Sequence, residues 1–296
     1  MVRSDSMSFP FARCQIVRRL VLGLLPVVAG WAQAANAGLV IHLIDGGGTA
    51  PANMAGGGNL MTIAAEAASV WERAFASAPG LWEVNMTLQW DDLGSGNGQF
   101  DQSTQGGNPN RIESGRIRLN NSGNVVFFAD PTPWNDTEYG VYAEYERDFG
   151  TGLVNIGREF TDPSGDAVGR VDLLTIVLHE MGHGLGLNSD YQGYKDQRDS
   201  FFLTIKPPLP YGGFYVELAI TDHLFDGVYP NALMTVLESP GIRKRASALD
   251  ILVNAQLSGG LNPNLNPYAV PEPAAWISMT IAVGAVSLRR FALCRG

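Results

Sequence analysis

Three residues in one short stretch have the types and the spacing that metal-dependent hydrolysis requires: His179, Glu180 and His183. Residues four apart on an α-helix lie one turn apart on the same face, so both imidazoles can reach one Zn²⁺ at about 2.0–2.1 Å. Glu180 lies beside them and need not be a ligand. In such an H-E-x-x-H arrangement the carboxylate is the general base that acts on a metal-activated water.

The stretch continues to Gly186 and so resembles the metzincin metallopeptidases, in which this glycine lets the chain turn sharply towards a third ligand. In common metzincins that ligand comes three residues after the glycine, where this chain has Ser189, a poor zinc ligand. Asp190 follows directly and could ligate if the turn relaxed. A catalytic zinc needs a third protein ligand and an open position for water, so the third ligand must be sought elsewhere or at Asp190.

His223 is the expected third ligand. The chain has only four histidines, and His42 belongs to a predicted strand. Met234 follows His223 by eleven residues, which resembles the leishmanolysin-like metzincins. In that family an insertion separates the helix from the third histidine, and a methionine in a following turn forms an apolar floor beneath the metal. The resemblance implies an α+β, zincin/metzincin-like fold with a twisted mixed β-sheet, an active-site helix and a C-terminal helical subdomain.

A regular helix must hold the two helix histidines, and residues 171–187 predict one. Its apolar residues recur at helical spacing and form a stripe that faces the core. The stripe consists of Leu174, Val177, Leu178, Met181 and Leu185. A second helix is predicted over 246–257.

The elements before the active-site helix alternate between strand and helix patterns. A short apolar run at 39–44 predicts a buried strand, residues 59–78 an amphipathic helix capped by Asn59, and residues 82–90 a half-buried strand. From the resemblance, the N-terminal strands and first helix are expected to form the upper wall of the cleft, and the chain from Gly186 onward its floor.

Residues between 94 and 149 give weaker patterns. Gly, Asn, Gln and Ser dominate 94–110, which predicts a long surface loop. Two short strands are predicted at 116–119 and 125–129, joined as a hairpin by the polar turn between them. Residues 139–149 fit a strand or a helix equally.

Both ends of the chain have the patterns of processing signals. Residues 1–37 combine arginines, a short apolar run and small-residue cleavage patterns, which predicts a secretory signal peptide. In 267–296, Pro271-Glu272-Pro273 precedes a fifteen-residue uncharged run and two arginines. This order resembles the PEP-CTERM sorting signal and implies a short transmembrane helix and an exosortase-type processing enzyme of a Gram-negative bacterium. The catalytic domain is then 38–266, exported to the cell envelope, cell surface or extracellular matrix.

The charge balance excludes one class of partner. Residues 38–270 contain 13 basic and 27 acidic side chains and no cysteine, since Cys14 and Cys294 lie in the terminal segments. So acidic a body is repelled by phosphate backbones, and we expect no nucleic-acid partner. Acidic residues at 91–92 and 162–172 are candidates for Ca²⁺ but lack EF-hand spacing, and a solvated surface is the simpler interpretation.

Together, the motif and the resemblance predict an exported zinc-dependent endopeptidase with one Zn²⁺ and a protein or peptide substrate. Its expected metal ligands are His179, His183 and His223, and Glu180 is the expected base. Two alternatives stay open: a catalytically inactive envelope or matrix binding protein on the same fold, and a zinc hydrolase that acts on a non-peptide bond. A His223 close to the active-site helix favours catalysis, and a distant one favours the inactive protein.

Overall fold

The computed structural model describes residues 38–78, 80–236 and 238–269. The predicted signal peptide lies outside the described residues, as do the Pro-Glu-Pro motif, the apolar run and the arginines of the predicted sorting signal. Pro267 and Tyr268 contact the body, since Arg73 donates to the Pro267 carbonyl and Tyr268 accepts from the Ala246 amide, both at 2.8 Å. None of the helices in the described ranges combines the length and apolar character needed to cross a membrane.

The described residues form an α+β fold, as predicted. The helices are α1 (Leu60–Ala74), α2 (Leu173–Leu185), α3 (Gln192–Gln197) and α4 (Ala248–Leu257). The first six strands are β1 (Leu39–Gly47), β2 (Trp82–Asp91), β3 (Gly98–Gly106), β4 (Arg111–Asn120), β5 (Phe127–Phe128) and β6 (Tyr139–Asp148). The others are β7 (Leu153–Pro163), β8 (Val171–Asp172), β9 (Arg198–Asp199), β10 (Phe202–Ile205), β11 (Phe214–Glu217) and β12 (Arg243–Arg245).

The largest sheet has four strands in the order β1-β2-β4-β3. Strands β1, β2 and β4 are parallel, whereas β3 is antiparallel to β4 and forms one edge. The sheet is therefore mixed, as predicted. Helices α1 and α2 pack together, and the indole of Trp71 in α1 donates to the carbonyl of Leu178 in α2 at 3.1 Å.

The predicted helix and strand at 59–78 and 82–90 are confirmed. Asn59 caps α1, because its side chain accepts hydrogen bonds from the Met61 and Thr62 amides. The apolar face of α1 is buried, and β2 alternates between fully buried residues and more exposed ones. These elements were predictable because their periodicity and caps are local.

The predicted loop at 94–110 is wrong, because β3 occupies most of it. Its polar residues pair in register with β4, and such pairing can override weak local strand propensity. The predicted hairpin of 116–119 with 125–129 is also wrong. Strand β4 pairs with β2 and β3, while β5 is parallel to β8 directly before α2.

The ambiguous segment at 139–149 contains strand β6, which pairs with β7 and through it with β12. The predicted C-terminal helical subdomain differs from the structure. Helices α3 and α4 are present, but between them lies the three-stranded antiparallel sheet β9-β10-β11. This small sheet precedes the loop that contains His223 and helps to position it.

Candidate metal centre

Helix α2 is held at its start by buried charges. Asp172 caps it by accepting from the Thr175 amide at 3.0 Å, and the fully buried Arg243 donates to both Asp172 carboxylate oxygens. Arg243 also donates to Asp130 at 2.6 Å and to Asp136 at 3.0 Å. The interpretation of 162–172 as solvated surface or a Ca²⁺ site is therefore wrong for Asp172, which is buried and anchors the helix.

The helix ends at Gly186, where the chain turns. Gly186 has φ 154°, a conformation that L side chains rarely adopt. A Cβ at this position would approach the Cβ of Leu257 in α4 to 3.0 Å. Both the turn and the close packing of α4 therefore favour glycine after the second histidine.

The structure brings His179, His183 and His223 together. The Nε2 atom of His179 lies 3.0 Å from Nε2 of His183 and 3.1 Å from Nε2 of His223. Among the described residues, these three form the one group of His, Cys, Asp or Glu side chains close enough to hold a metal ion, with ligand atoms within 4.8 Å of one another. Asp190 does not belong to this group.

Hydrogen bonds at the opposite ring nitrogens fix the direction of the lone pairs. Nδ1 of His179 bonds to the Leu233 carbonyl at 2.8 Å, and Nδ1 of His183 bonds to the Leu187 carbonyl. A carbonyl can only accept, so Nδ1 carries the proton and Nε2 of a neutral ring keeps its lone pair. The lone pairs on the Nε2 atoms of these two histidines therefore point towards each other and repel. A cation bound between them would relieve that repulsion.

Burial favours the neutral form of all three imidazoles. Burial, and then the charge of the neighbouring imidazoles, lowers the pKa of His179 well below its ordinary value. Burial likewise lowers the pKa of His183. For His223, burial and then the charge of His183 lower the pKa to about 3. Neutral imidazole is the form that binds metal.

A short loop presents His223 to the helix. The Ala219 amide donates to the His223 carbonyl at 2.9 Å, and Leu218 and Leu224 pair as an antiparallel bridge on either side. Thr221 bonds to Nδ1 of His223 at 3.1 Å through its hydroxyl. The five-residue loop from 219 to 223 is therefore closed by its own backbone, which fixes the imidazole.

Met234, the expected floor of the metal site, lies against α2. Its fully buried side chain packs against Gly182, so the thioether is next to the turn of helix between the two histidines. The amides of Leu233 and Met234 donate to the buried carboxylate of Asp250, at 3.2 and 3.0 Å. Asp250 itself belongs to a capping box with Ser247 at the start of α4. The Ser-x-x-Asp spacing is the signal that could have identified Asp250 from the sequence.

Glu180 is buried beside the histidines. Burial, and then the charges of Glu238 and Asp101, raises the pKa of Glu180 well above its ordinary value. Glu238 was not predicted, and its distance from the motif leaves no local signal for it. Its carboxylate lies 3.7 Å from Nδ1 of His179 and accepts from the side-chain amide of Asn97 at 2.8 Å. Burial raises the pKa of Glu238 to about 7.

Glu180, His183 and His223 line a cleft of about 320 Å³, and His179 is buried behind them. Edge strand β3 lines one side through residues 98–101, and the chain after α2 lines the other through residues 188–190. No residue of α1 belongs to the lining, so the expectation that the first helix forms the upper wall is wrong; α1 instead packs against α2. Asp190 lines the cleft without joining the histidines.

Comparisons of the chain with protein-family models, with curated proteins and with solved structures found no match. The geometry of the metal centre is therefore the basis for assigning a function.

Proposed function

We propose that the protein is an exported zinc-dependent endopeptidase in which His179, His183 and His223 bind the metal and Glu180 is the general base. The convergence of the three histidine side chains is the observation that carries this proposal. The position of His223 matters most. Its ring lies in contact with His179, which favours a working metal centre over the inactive binding protein on the same fold.

The donor set fits zinc. Three neutral imidazoles are a common ligand set for catalytic zinc, which keeps a fourth position open for water. Here the open side is the cleft that β3 and residues 188–190 line. The carbonyls that bond to Nδ1 of His179 and His183 orient the rings and increase their basicity, as outer-shell partners of zinc ligands do. When bound, zinc supplies a water of lowered pKa and polarises a carbonyl.

Glu180 has the environment of a general base. Its carboxylate accepts from the Phe100 amide of β3, which orients it towards the cleft side of α2. Glu180 lines the cleft together with His183 and His223, where its carboxylate can take a proton from the attacking water. The same carboxyl group then gives that proton to the departing amine.

The edge strand supports a peptide as the substrate. Within the described ranges, strand β3 pairs with β4 alone, and apart from the Phe100 amide, which donates to Glu180, its outer edge can pair with an extended peptide. Residues 98–101 of this strand line the cleft above α2. A peptide that adds to β3 in this way would place its carbonyls along the cleft.

Export is part of the same proposal. The signal peptide at 1–37 and the sorting signal at 267–296 imply the cell envelope, surface or extracellular matrix of a Gram-negative bacterium, with membrane attachment before an exosortase-type enzyme acts. A zinc peptidase at this location would act on extracellular or envelope proteins.

Hydrolysis of denatured casein by the zinc-loaded protein tests the proposal. Glu180→Gln should retain zinc and lose roughly 10²–10⁴-fold in rate, because it removes the base and leaves the ligands. Glu83→Gln, on the exposed side of β2, is the matched control and should retain activity. Full activity in Glu180→Gln, or no hydrolysis by the zinc-loaded wild type, would overturn the proposal.

A further inference from the structure

A second depression lies directly beside the metal cleft. This basic groove has a volume of about 560 Å³ and shares Ser189 with the cleft, so the two lie side by side. Its lining consists of Ser189, Tyr194, Lys195, Arg198, Ser200 and Phe201. Lys195 and Arg198 are the charged members, and both are cationic.

Short-range contacts hold these cations in place. Lys195, in α3, donates to the Asp190 carbonyl at 3.0 Å, and Arg198 donates to the Ser200 carbonyl at 2.6 Å. The Arg198 guanidinium lies over the rings of Tyr194 and Phe201, at 5.6 and 5.9 Å from their centroids. Within the described ranges, neither cation forms an ion pair with an acidic side chain. Their charges are therefore available to a ligand.

The lining of the metal cleft differs from that of the groove in its charged side chains. Four carboxyl residues and no lysine or arginine line it, namely Asp101, Glu180, Asp190 and Asp222. A peptide carboxylate finds no cationic side chain in the cleft lining, whereas one that extends past Ser189 would meet two. The groove is thus a positive zone on a body in which acidic side chains outnumber basic ones by 27 to 13.

We propose that the basic groove binds a carboxylate of the peptide that occupies the metal cleft, from an acidic side chain or from a free C-terminus. This inference rests on the proposed peptidase function and names its substrate class. The planar guanidinium of Arg198, held against two rings, suits a carboxylate, and Lys195 adds a second positive charge. Lys195 and Arg198 are specificity-determining residues, at a distance from the reacting bond.

Peptide binding to zinc-loaded Glu180→Gln tests the inference without requiring turnover. A single Glu is moved along a neutral fluorescent peptide, each peptide is compared with its Gln counterpart, and C-terminal acid and amide forms separate the two sources of carboxylate. We expect one or two adjacent positions at which Glu, or the free C-terminus, tightens Kd by roughly two- to five-fold per charge, as exposed ion pairs do. The gain should shrink at high salt.

Variants of the groove sharpen the test. Lys195→Gln and Arg198→Gln should each remove part of the gain, and Lys195→Glu with Arg198→Glu should make Lys the preferred residue at that position. Lys206→Glu, a charge reversal on an exposed lysine outside the groove, is the control and should leave the preference intact. Zinc content and circular dichroism confirm that each variant is folded.

The outcomes separate this inference from the proposed function. The proposal of carboxylate binding would be overturned by equal Kd values for Glu and Gln at every position, together with equal Kd values for C-terminal acid and amide. That result would count against it even if the wild type cleaves peptides. A carboxylate preference that survives in both groove variants would also overturn it. A preference that these variants abolish, with no cleavage by the wild type, would support the groove and contradict the peptidase function alone.

Discussion

The Nε2 atoms of His179 and His223 lie 3.1 Å apart, although 44 positions separate the two residues in the chain. His179 and the neighbour of His223 are tied to two adjacent residues of the turn after the small sheet. His179 bonds to the Leu233 carbonyl at 2.8 Å, and Leu224, next to His223, donates to the Met234 carbonyl at 2.8 Å. The turn at Leu233 and Met234 therefore aligns α2 with the loop that contains His223. The geometry of the metal centre depends on how this turn packs against both.

Gly182 and Met234 should be strongly coupled. A Cβ at Gly182 would overlap the Met234 sulfur, so Gly182→Ala should destabilise the protein by about 1–3 kcal/mol. Met234→Ala leaves a cavity and should cost about 2–5 kcal/mol. In the double variant the new methyl group enters the space that the sulfur left, so the cost should be less than the sum of the single changes. Urea unfolding of all four proteins measures the coupling, and strict additivity would contradict the contact.

Arg243→Met should remove the support at the start of α2. The variant leaves the buried carboxylates of Asp130 and Asp172 without their cation, which should cost about 3–5 kcal/mol in the free energy of unfolding. Arg116→Met, which breaks an exposed ion pair with Asp101, is the control and should cost about 1 kcal/mol or less. Similar losses in the two variants by denaturant unfolding would show that the buried cluster is not a structural anchor.

The metal-free protein should lose stability in acid through His223. Its pKa is lowered to about 3 in the folded protein, against about 6.5 when unfolded. The unfolded chain therefore takes up the proton first, so the stability contributed by neutral His223 is complete above about pH 6.5 and is lost as the pH falls towards 3. Between pH 7 and pH 5, wild type should lose about 1–2 kcal/mol relative to His223→Gln, measured with a chelator present.

Two carboxyl groups act in the opposite direction, but they cancel in this comparison. Glu180 and Glu238 have raised pKa values, so their contribution to stability increases as the pH falls. Because both carboxyl groups are present in wild type and in His223→Gln, the difference between the two proteins reports His223 and its coupling to His179 and His183. His42→Gln, at an exposed position of β1 away from the metal centre, is the matched control. A pH-independent difference for His223→Gln would contradict the burial of a neutral ring.

The residues of the motif were predicted from their local spacing, and His223 was predicted from the resemblance. His179, Glu180 and His183 lie on one helix whose apolar stripe is continuous, so their proximity follows from helix geometry. His223 was the expected ligand because the chain has few histidines. Met234 also follows it by eleven residues, a spacing that resembles the leishmanolysin-like metzincins. Glu238 was missed, since its burial against His179 depends on how the chain returns after Met234 and no short-range pattern records that path.

Elements with a strong apolar periodicity were predicted correctly. Elements whose conformation depends on pairing with a distant strand were missed. Helix α1 and strand β2 have clear apolar patterns and clear ends. Strand β3 is polar and rich in glycine and glutamine, and pairing with β4 stabilises it as a strand. That omission matters for function, because β3 forms the edge to which a peptide would bind. The signal peptide and the sorting signal stay predictions.

Zinc stoichiometry tests the central claim most directly. Elemental analysis after gel filtration in metal-free buffer compares wild type with His223→Ala, Asp190→Ala and His42→Ala. The three-histidine centre predicts one zinc per chain in wild type and in the Asp190 and His42 variants, and loss of that zinc in the His223 variant. Absence of zinc from the wild type, or zinc that is indifferent to His223→Ala, would contradict the metal centre and with it the peptidase function.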